Sequence, residues 1–453
     1  MNRHLTILLI LLLHNLWGGY GQVSYMPDDP AVIELKTLYL ESGRVFPTGS
    51  FPLDRRDLHR LALKLKEQAL SSEARERVAE FLEELSFNRE VIRLGSDVKF
   101  TYEHYLRTDE EWEDYYRLFF EPEPAMVIDL YYMQDGLAVI DIAGSWRREY
   151  DGFSPNNFFA FKPGNPFAQE NQFLQKGYFR YFFGPLEMEL GRNKVHYGPS
   201  RYSSLLLSQS LPFLDALRLR LPIGPLEMTS LVSTLENRSA ADDLEDLIIP
   251  DYNFVDNTII CTMHRFEYAF KRLRLGISGL SIITRPDNAF LLGDFFPVFS
   301  WHTADVGWHN LSMIGDVCLA PLPGLEVFAQ YGVDDIRLGS VNIGDDPIPT
   351  IDAYIIGLSF DRRLPKANFS FYLEGGYTHY LWGNFHEEYA LSRAIYRYFM
   401  DRENQILPMT SPFGPGSRWI YGEIGWGNLN NVSINCRYRI VPNINTSQAD
   451  IIN

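Results

Sequence analysis

Two hydrophobic periods divide the chain. Between residues 28 and 87, apolar side chains recur at spacings of three and four, which is the period of an amphipathic helix. Leu58 and Leu61 fall on one face of such a helix, and Phe81 and Leu85 on one face of another. The pattern therefore predicts a small bundle of about three helices over this stretch.

From about residue 97, apolar and polar residues alternate, which is the period of a half-exposed strand. The segment LRLRL at 217–221 is an example, and the pentapeptide GPLEM interrupts such alternation twice. Gly184 and Gly224, each followed by Pro, begin these pentapeptides and predict tight hairpin turns. Glu187 and Glu189 lie two residues apart in a strand, so we expect both to face one side, toward a polar interior.

Short turns alternate strictly with long connections along this half of the chain. Outer-membrane barrels have this organisation, with short periplasmic turns and long external loops. A direct count gives about fifteen strands, and an even total requires at least one more, in 148–176 or 283–306. The sequence predicts an all-β transmembrane barrel of about 16–18 antiparallel strands at 95–441, following the helical bundle. A C-terminal tail at 442–453 completes the chain.

The N-terminus has the pattern of an export signal. Arg3 precedes an apolar run at Leu5–Leu13, and small residues follow up to Gly21. We interpret residues 1–21 as a secretory signal peptide, with a short signal-anchor helix as the alternative. No later segment has about 18 consecutive apolar residues, the length of a spanning helix.

Composition and motifs exclude several function classes. The formal net charge is −17, so the chain lacks the basic surface that nucleic acid requires. Three widely separated cysteines, Cys261, Cys318 and Cys436, do not form a disulfide framework. Phosphate-loop, nucleophile-elbow and zinc-protease motifs are missing. His302 and His309 fit polar neighbours of interfacial Trp better than metal ligands. We therefore predict no enzyme, no metal and no cofactor.

A basic and aromatic segment stands out in this acidic chain. It contains Arg192, Lys194, Tyr197, Arg201 and Tyr202. Arg binds carboxylates with two parallel hydrogen bonds, and Tyr offers a flat amphipathic ring. We predict that these five residues contact an acidic, sugar-like polymer. The alternative is a packed constriction loop folded into the lumen.

The same region, together with segments before and after it, carries a family resemblance. It resembles the signature of the Wzi family, outer-membrane barrels of capsule assembly, in the motifs Gly191-Arg192, Tyr197-Gly198-Pro199, SLLLS at 204–208, Pro212 with Leu214, LRLRL at 217–221, MHRF at 263–266 and FPLDRRDL at 51–58. The sequence differs from the family pattern at Tyr197, where Trp is expected, and at Ser200, where Gly is more usual. The resemblance implies an eighteen-stranded barrel, a periplasmic helical bundle and a lectin-like role in holding surface polysaccharide.

These observations predict a non-catalytic protein of the cell outer membrane. It would bind, or help assemble and retain, extracellular capsular polysaccharide. Its partners would be outer-membrane lipid and an acidic or capsular polysaccharide. A diffusion porin or solute channel is the main alternative, and a secreted carbohydrate-active enzyme with a β-rich fold is a third hypothesis.

Overall fold

A computed structural model defines the part of the chain that can be described. The structure describes residues 24–68, 72–86, 92–98, 116–117, 126–134, 138–148, 150–154, 157–163, 169–209, 211, 213–235, 258–285, 308–335, 350–364, 367–379, 382–383, 396–400, 404–411, 416–428 and 433–440.

Fifteen antiparallel strands form one large sheet, and each strand pairs with its neighbours in chain order. Its strands are β2 (Ile92–Val98), β4 (Met126–Gln134), β5 (Ala138–Arg148), β8 (Gln169–Phe183), β9 (Leu186–Asn193), β11 (Leu214–Ile223), β12 (Leu226–Leu235), β13 (Thr258–Ala269), β14 (Leu273–Arg285), β15 (Trp308–Leu322), β16 (Leu325–Asp335), β17 (Ile351–Leu364), β18 (Ala367–Thr378), β21 (Arg418–Asn428) and β22 (Ser433–Ile440). Within the described residues, no pairing joins β2 to β22.

We call this fifteen-stranded sheet the wall, and seven further strands of the described residues lie outside it. They are β1 (Ser50–Phe51), β3 (Tyr116–Arg117), β6 (Tyr150–Ser154), β7 (Asn157–Pro163), β10 (His196–Tyr197), β19 (Tyr396–Met400) and β20 (Asn404–Pro408). Among the described residues of 148–176, β6 and β7 do not supply the expected extra wall strand, because they pair with β3 in a separate three-stranded sheet. Residues 286–307, which cover most of the second expected position, lie outside the described residues.

The two GPLEM segments are tight hairpin turns, as predicted. Phe183 pairs with Leu186 across the first turn, which leaves two residues in the loop. Gly184 and Gly224 take φ of 62° and 60° at the first loop position. Positive φ at that position, followed by Pro, belongs to the type II′ turn, whose twist matches that of the flanking strands.

The wall has one polar and one apolar face. Glu189 is 3% exposed, whereas the next residue, Leu190, is 56% exposed. Tyr421 is 2% exposed and its neighbour Ile420 is 52% exposed. Large apolar side chains thus cover the outer face and polar ones point inward, as in barrels whose outer face contacts lipid.

Within the described residues, three helices precede the wall: α1 (Pro30–Glu41), α2 (Arg55–Lys66) and α3 (Ser72–Ser86). Asp54 caps α2, and its side chain accepts the Asp57 N–H at 2.6 Å. The side chains of Leu58, Leu61, Phe81 and Leu85 are buried in a common core, as the helical period predicts. Among the helices of the described residues, none is long and apolar enough to cross a membrane.

The helices lie at the end of the wall that carries the short turns. The Arg56 side chain donates to the Gly184 carbonyl at 2.9 Å, and the Val45 N–H donates to the Lys271 carbonyl at 3.1 Å. Both carbonyls belong to short turns. The bundle therefore packs against the short-turn end.

Candidate functional site

Residues 44–54, the N-terminal strap, lead from α1 to α2 through the interior of the wall. The Gly49 N–H donates to Glu267 Oε1 at 2.9 Å, and Arg274 Nη1 donates to the Phe46 carbonyl at 2.9 Å. Glu267 and Arg274 are wall residues, 1% and 3% exposed. Inward side chains of the wall thus bind the strap's backbone directly.

A buried ionic cluster fixes the strap and the start of α2. The guanidinium of Arg220 donates twice to Glu227, at 2.9 and 2.8 Å. It also pairs with Asp57 of α2 and lies 3.3 Å from Glu187 Oε2. Arg220 is 1% exposed. The guanidinium and the carboxylates are all removed from water, so each buried charge is destabilising unless the opposite charge lies beside it.

A second part of the cluster involves the two glutamates of β9. Arg180 Nε donates to Glu189 Oε2 at 2.7 Å, and Arg218 pairs with Glu187. Arg218 Nη1 also donates to the Pro52 carbonyl of the strap at 3.0 Å. The prediction that Glu187 and Glu189 face a polar interior is confirmed. Their partners give them a structural role at the contact with the strap.

Asp54 and Asp57 respond to this cluster in opposite ways. Burial, with Asp57 and Glu187 nearby, raises the pKa of Asp54 to about 7. Burial also opposes the charge of Asp57, but Arg220 outweighs it and lowers the pKa of that carboxyl below its usual range. Oxygens of Asp54, Asp57 and Glu187 lie within 4.8 Å of one another, a spacing that suits a metal ion. Arg180 and Arg220 already supply positive charge to this group.

Residues 194–209, the lumen segment, follow β9 and turn into the interior. Two of them form β10, which pairs with β1 of the strap. Gly198 N–H donates to the Gly49 carbonyl at 2.9 Å. Gly198 has φ of 134°, and a Cβ there would lie 2.9 Å from the Gln330 side chain, so only glycine fits. The strap and the lumen segment therefore pack as one unit inside the wall.

His196 stabilises the fold of the lumen segment in its neutral form. Its Nε2 lies 2.8 Å from the Ser200 carbonyl, and its Nδ1 lies 3.4 Å from the Gln209 N–H. A neutral ring serves both contacts, donating from Nε2 and accepting at Nδ1. Burial lowers the pKa of His196 to about 4, which keeps the ring neutral near pH 7.

The lumen segment crosses the interior to the opposite wall. The Leu205 N–H donates to Gln330 Oε1 on β16 at 2.8 Å. Ser203 Oγ donates to Glu374 Oε1 on β18 at 2.6 Å, and the Tyr202 hydroxyl donates to Glu423 on β21. Leu205, Leu206 and Leu207 are fully buried. Protein atoms thus connect β9 to β16, β18 and β21 through the lumen.

Two of the five predicted site residues lie where β9 leaves the wall. Arg192 faces outward on the same side as Leu190, and its guanidinium donates to Asp215 at 2.6 and 2.8 Å. It also stacks on the Phe213 ring, 3.9 Å from its centroid. Lys194 is half-buried, and its N–H donates to the Asn193 side chain. These contacts hold Arg192 and Lys194 beside β9, away from the opposite strands β16, β18 and β21.

The other three predicted residues lie inside. Tyr197 is fully buried, while Arg201 and Tyr202 are 8% and 9% exposed. The Arg201 guanidinium lies over the rings of Tyr372 and Tyr202, at 4.9 and 5.9 Å from their centroids. The structure therefore brings Arg201 and Tyr202 together and separates them from Arg192. The side chains of His302 and His309 lie outside the described residues.

Several residues that complete the interior were not predicted. Gln330 and Glu374 occupy inward positions of β16 and β18, so strand parity could have indicated them. Trp382 is 1% exposed, and Met409 accepts the Ser208 N–H at 3.0 Å. These two lie in irregular segments, where the sequence carries no periodic signal.

Comparison with known proteins identifies the fold. No family model matches the chain, and no curated protein matches it either. Among solved structures, the chain is similar to Wzi of Escherichia coli, an outer membrane protein involved in group 1 capsule assembly and a carbohydrate-binding β-barrel. The two are 15% identical with a TM-score of 0.56, over 93% of this chain and 85% of that one. The chain has the fold of a bacterial outer-membrane β-barrel.

Two further solved structures share less of this shape. Salmonella typhi OmpF is 8% identical with a TM-score of 0.36, over 70% of this chain and 82% of that one. Pseudomonas putida OprB is 13% identical with a TM-score of 0.34, over 70% and 81%. The predicted fold class, a transmembrane β-barrel with a small N-terminal helical bundle, is confirmed, and so is the resemblance to Wzi at the level of fold.

Proposed function

We propose that the protein is a non-catalytic outer-membrane barrel that binds and retains extracellular polysaccharide, with capsular polysaccharide as the main candidate. The observation that carries this proposal is a lumen crossed by protein segments. The lumen segment bridges β9 to β16, β18 and β21, and the strap packs beneath it. A diffusion channel needs an open path, whereas a barrel that holds a polymer at the surface does not.

The same geometry supports a proposal for how each part of the chain is placed. Short turns of outer-membrane barrels face the periplasm, and the helices pack against the short-turn end. The bundle at 28–87 would then be periplasmic, the barrel at 95–441 would lie in outer-membrane lipid, and residues 1–21 would be removed on export.

Polysaccharide contact is proposed for four of the five residues singled out by the sequence. Arg201 and Tyr202 offer a guanidinium and a ring within the lumen, and Arg192 and Lys194 are partly exposed at the end of β9. Tyr197 is fully buried, so we assign it the role of fixing the segment. The carbohydrate-binding character of Wzi, a protein of the same fold, supports this assignment.

Retention of surface polysaccharide in living cells tests the proposal. A strain lacking the gene should shed polysaccharide into the medium, and the intact gene should restore retention. Arg201→Ala should fail to restore it while still assembling, as judged by heat-modifiable gel migration. Arg418→Ala is the matched control, because Arg418 stacks on Tyr377 in the same way, at 5.4 Å, but on the exposed outer face.

Two results would contradict the proposal. Equal retention with and without the gene would remove the polysaccharide role. A stable, ion-conducting open state of the parent protein in planar bilayers would favour a porin instead.

A further inference from the structure

The basic groups of the lumen segment already face acidic partners. Arg192 makes two hydrogen bonds to Asp215. Arg201 has two carboxylates in its surroundings, Asp361 and Glu423, and both interact with its charge. The positive charge that suggested an anionic glycan in the sequence is therefore largely balanced in the fold.

Arg201 differs from the other buried arginines in its hydrogen bonding. Arg180, Arg218 and Arg220 all donate to carboxylates. The Arg201 guanidinium makes no hydrogen bond or ion pair with any described residue, although the residue is only 8% exposed. Burial opposes its charge, but Tyr202, Asp361, Tyr372 and Glu423 raise its pKa above the ordinary value, so it stays a cation. Up to five N–H donors thus remain for a ligand.

Acceptors and rings surround these donors. Glu423 accepts the hydroxyls of Tyr202 and Tyr421, the latter at 3.2 Å. Asp361, on β17, is 6% exposed. The rings of Tyr202 and Tyr372 lie 5.4 Å apart in an edge-to-face arrangement. Planar rings bind the apolar face of a sugar, and hydroxyls bridge guanidinium donors to carboxylate acceptors.

The charge balance decides which kind of sugar fits. Beyond Asp361 lies the ion pair of Lys36 with Glu326, which contributes no net charge. Glu374 accepts the hydroxyl of Tyr372 at 2.5 Å, so Arg201, Asp361, Glu423 and Glu374 together carry a formal charge of −2. A carboxylate on the ligand would enter a region that is already negative and poorly solvated, which is unfavourable. A hydroxyl both accepts and donates, so it satisfies Arg201 and the carboxylates together.

We propose that Arg201, Tyr202, Tyr372, Asp361 and Glu423 form a subsite for a neutral sugar residue of the polysaccharide. This inference rests on the proposed function and narrows its ligand. It departs from the acidic polymer predicted from the sequence. The polymer can carry acidic groups elsewhere, but the unit held here has hydroxyls and no carboxylate.

Carboxyl reduction of the polymer tests this directly. Polysaccharide from the producing strain is used as isolated and after its uronic carboxyls have been reduced to hydroxyls. Binding to the detergent-solubilised protein is measured at 50 and 500 mM NaCl. If the subsite recognises a neutral unit, the reduced polymer should bind as tightly as the polymer as isolated, or more tightly. Its affinity should change less than about twofold between the two salt concentrations, because salt screens only charge attraction. Arg201→Met should weaken binding of the reduced polymer about tenfold or more, and Arg418→Met should not.

Each alternative outcome has a distinct meaning. Loss of binding on carboxyl reduction, or steep weakening in salt, overturns the neutral subsite but leaves the proposed function intact. Parent-like binding by an assembled Arg201→Met variant overturns this location for the subsite. Failure of the parent to bind either polymer overturns both the subsite and the proposed function.

Discussion

Removing the guanidinium of Arg220 should release the N-terminal bundle from the wall. Arg220→Ala deletes two hydrogen bonds to Glu227 and the pair with Asp57, and it leaves three carboxylates, including Glu187, without their shared cation. All three acids are buried. Glu187 keeps Arg180 and Arg218, and Asp57 keeps Arg60, so among the described residues Glu227 is the acid that loses its guanidinium partner. Glu227 must then stay charged while removed from water, take up a proton or admit water.

The size of this effect follows from burial. Removing one partner of a buried charge pair costs about 3–5 kcal/mol, because the other charge remains desolvated. That is roughly two to three and a half orders of magnitude in the folding equilibrium, since 1.36 kcal/mol is tenfold. Arg192→Ala is the matched control. Its Arg–Asp215 pair has similar geometry, but the two side chains are 29% and 41% exposed. An exposed pair contributes under about 1 kcal/mol.

Urea unfolding of the detergent-refolded barrel measures both changes. Bilayer conductance of Arg220→Ala reports in addition whether the strap leaves the lumen. A double-mutant cycle with Asp57→Asn should recover part of the loss, because the neutral amide no longer needs the cation; couplings of about 0.5–3 kcal/mol are typical of contacting residues. The reasoning is refuted if Arg220→Ala and Arg192→Ala destabilise the barrel equally, or if the cycle shows no coupling.

Two further variants probe packing and protonation. Gly376→Ala would place a methyl group inside the van der Waals distance of the Trp419 ring, so we expect a loss of about 1–3 kcal/mol of stability. Gly315→Ala is the control, because no atom lies within 4 Å of the added carbon, and it should unfold in urea like the parent. Equal losses of stability in the two variants would contradict the predicted clash. Asp54→Asn keeps an N-cap oxygen for α2 but removes a carboxyl with its pKa raised to about 7. In the parent protein, Asp54 holds a proton between about pH 4 and 7 in the native state, whereas in the unfolded chain, where its pKa is near 3.9, that proton has been lost. The contribution of Asp54 to stability therefore falls as pH rises through that window. The variant should match the parent near pH 4 and exceed it increasingly toward pH 7. His196, with its pKa lowered to about 4, acts in the opposite sense but equally in both proteins, so a flat difference would refute the assignment.

The wall could be predicted because its signal is local. Alternation places Glu189 inward and Leu190 outward, and two residues of GPLEM set the hairpin register without reference to distant parts of the chain. Local signal also had a limit. Strand β9 continues to Asn193, into the basic and aromatic segment. Because Arg192 lies two residues after Leu190 in this strand, its side chain points outward like that of Leu190, and there it donates to Asp215.

The path of the lumen segment could not be predicted in this way. Ser203 bonds to Glu374 and Tyr202 to Glu423, partners 171 and 221 residues away in the chain. Such contacts depend on how the wall curves, which no local pattern encodes. The sequence could name a basic and aromatic segment, but not which acids would face it. That is why the acidic-glycan hypothesis arose, and why Asp361 and Glu423 now argue for a neutral unit.

Charged side chains that point inward from the wall bind backbone groups of the strap. A strap that runs through the lumen cannot satisfy most of its N–H and C=O groups by sheet pairing, and buried backbone polar groups need partners. The wall supplies them with side chains: Glu267 accepts the Gly49 N–H, Arg274 donates to the Phe46 carbonyl, and Arg218 donates to the Pro52 carbonyl.

These wall side chains are charged, so they need counter-charges of their own where the strap does not reach. Glu189 pairs with Arg180, and Arg265 pairs with Asp316, each within the interior. Alternating Arg and Glu at inward positions is therefore expected wherever irregular backbone is held inside a barrel. In a water-filled channel the same positions would face solvent and would not need one another. In LRLRL and LEMEL, the inward arginines and glutamates are held by the strap and by one another.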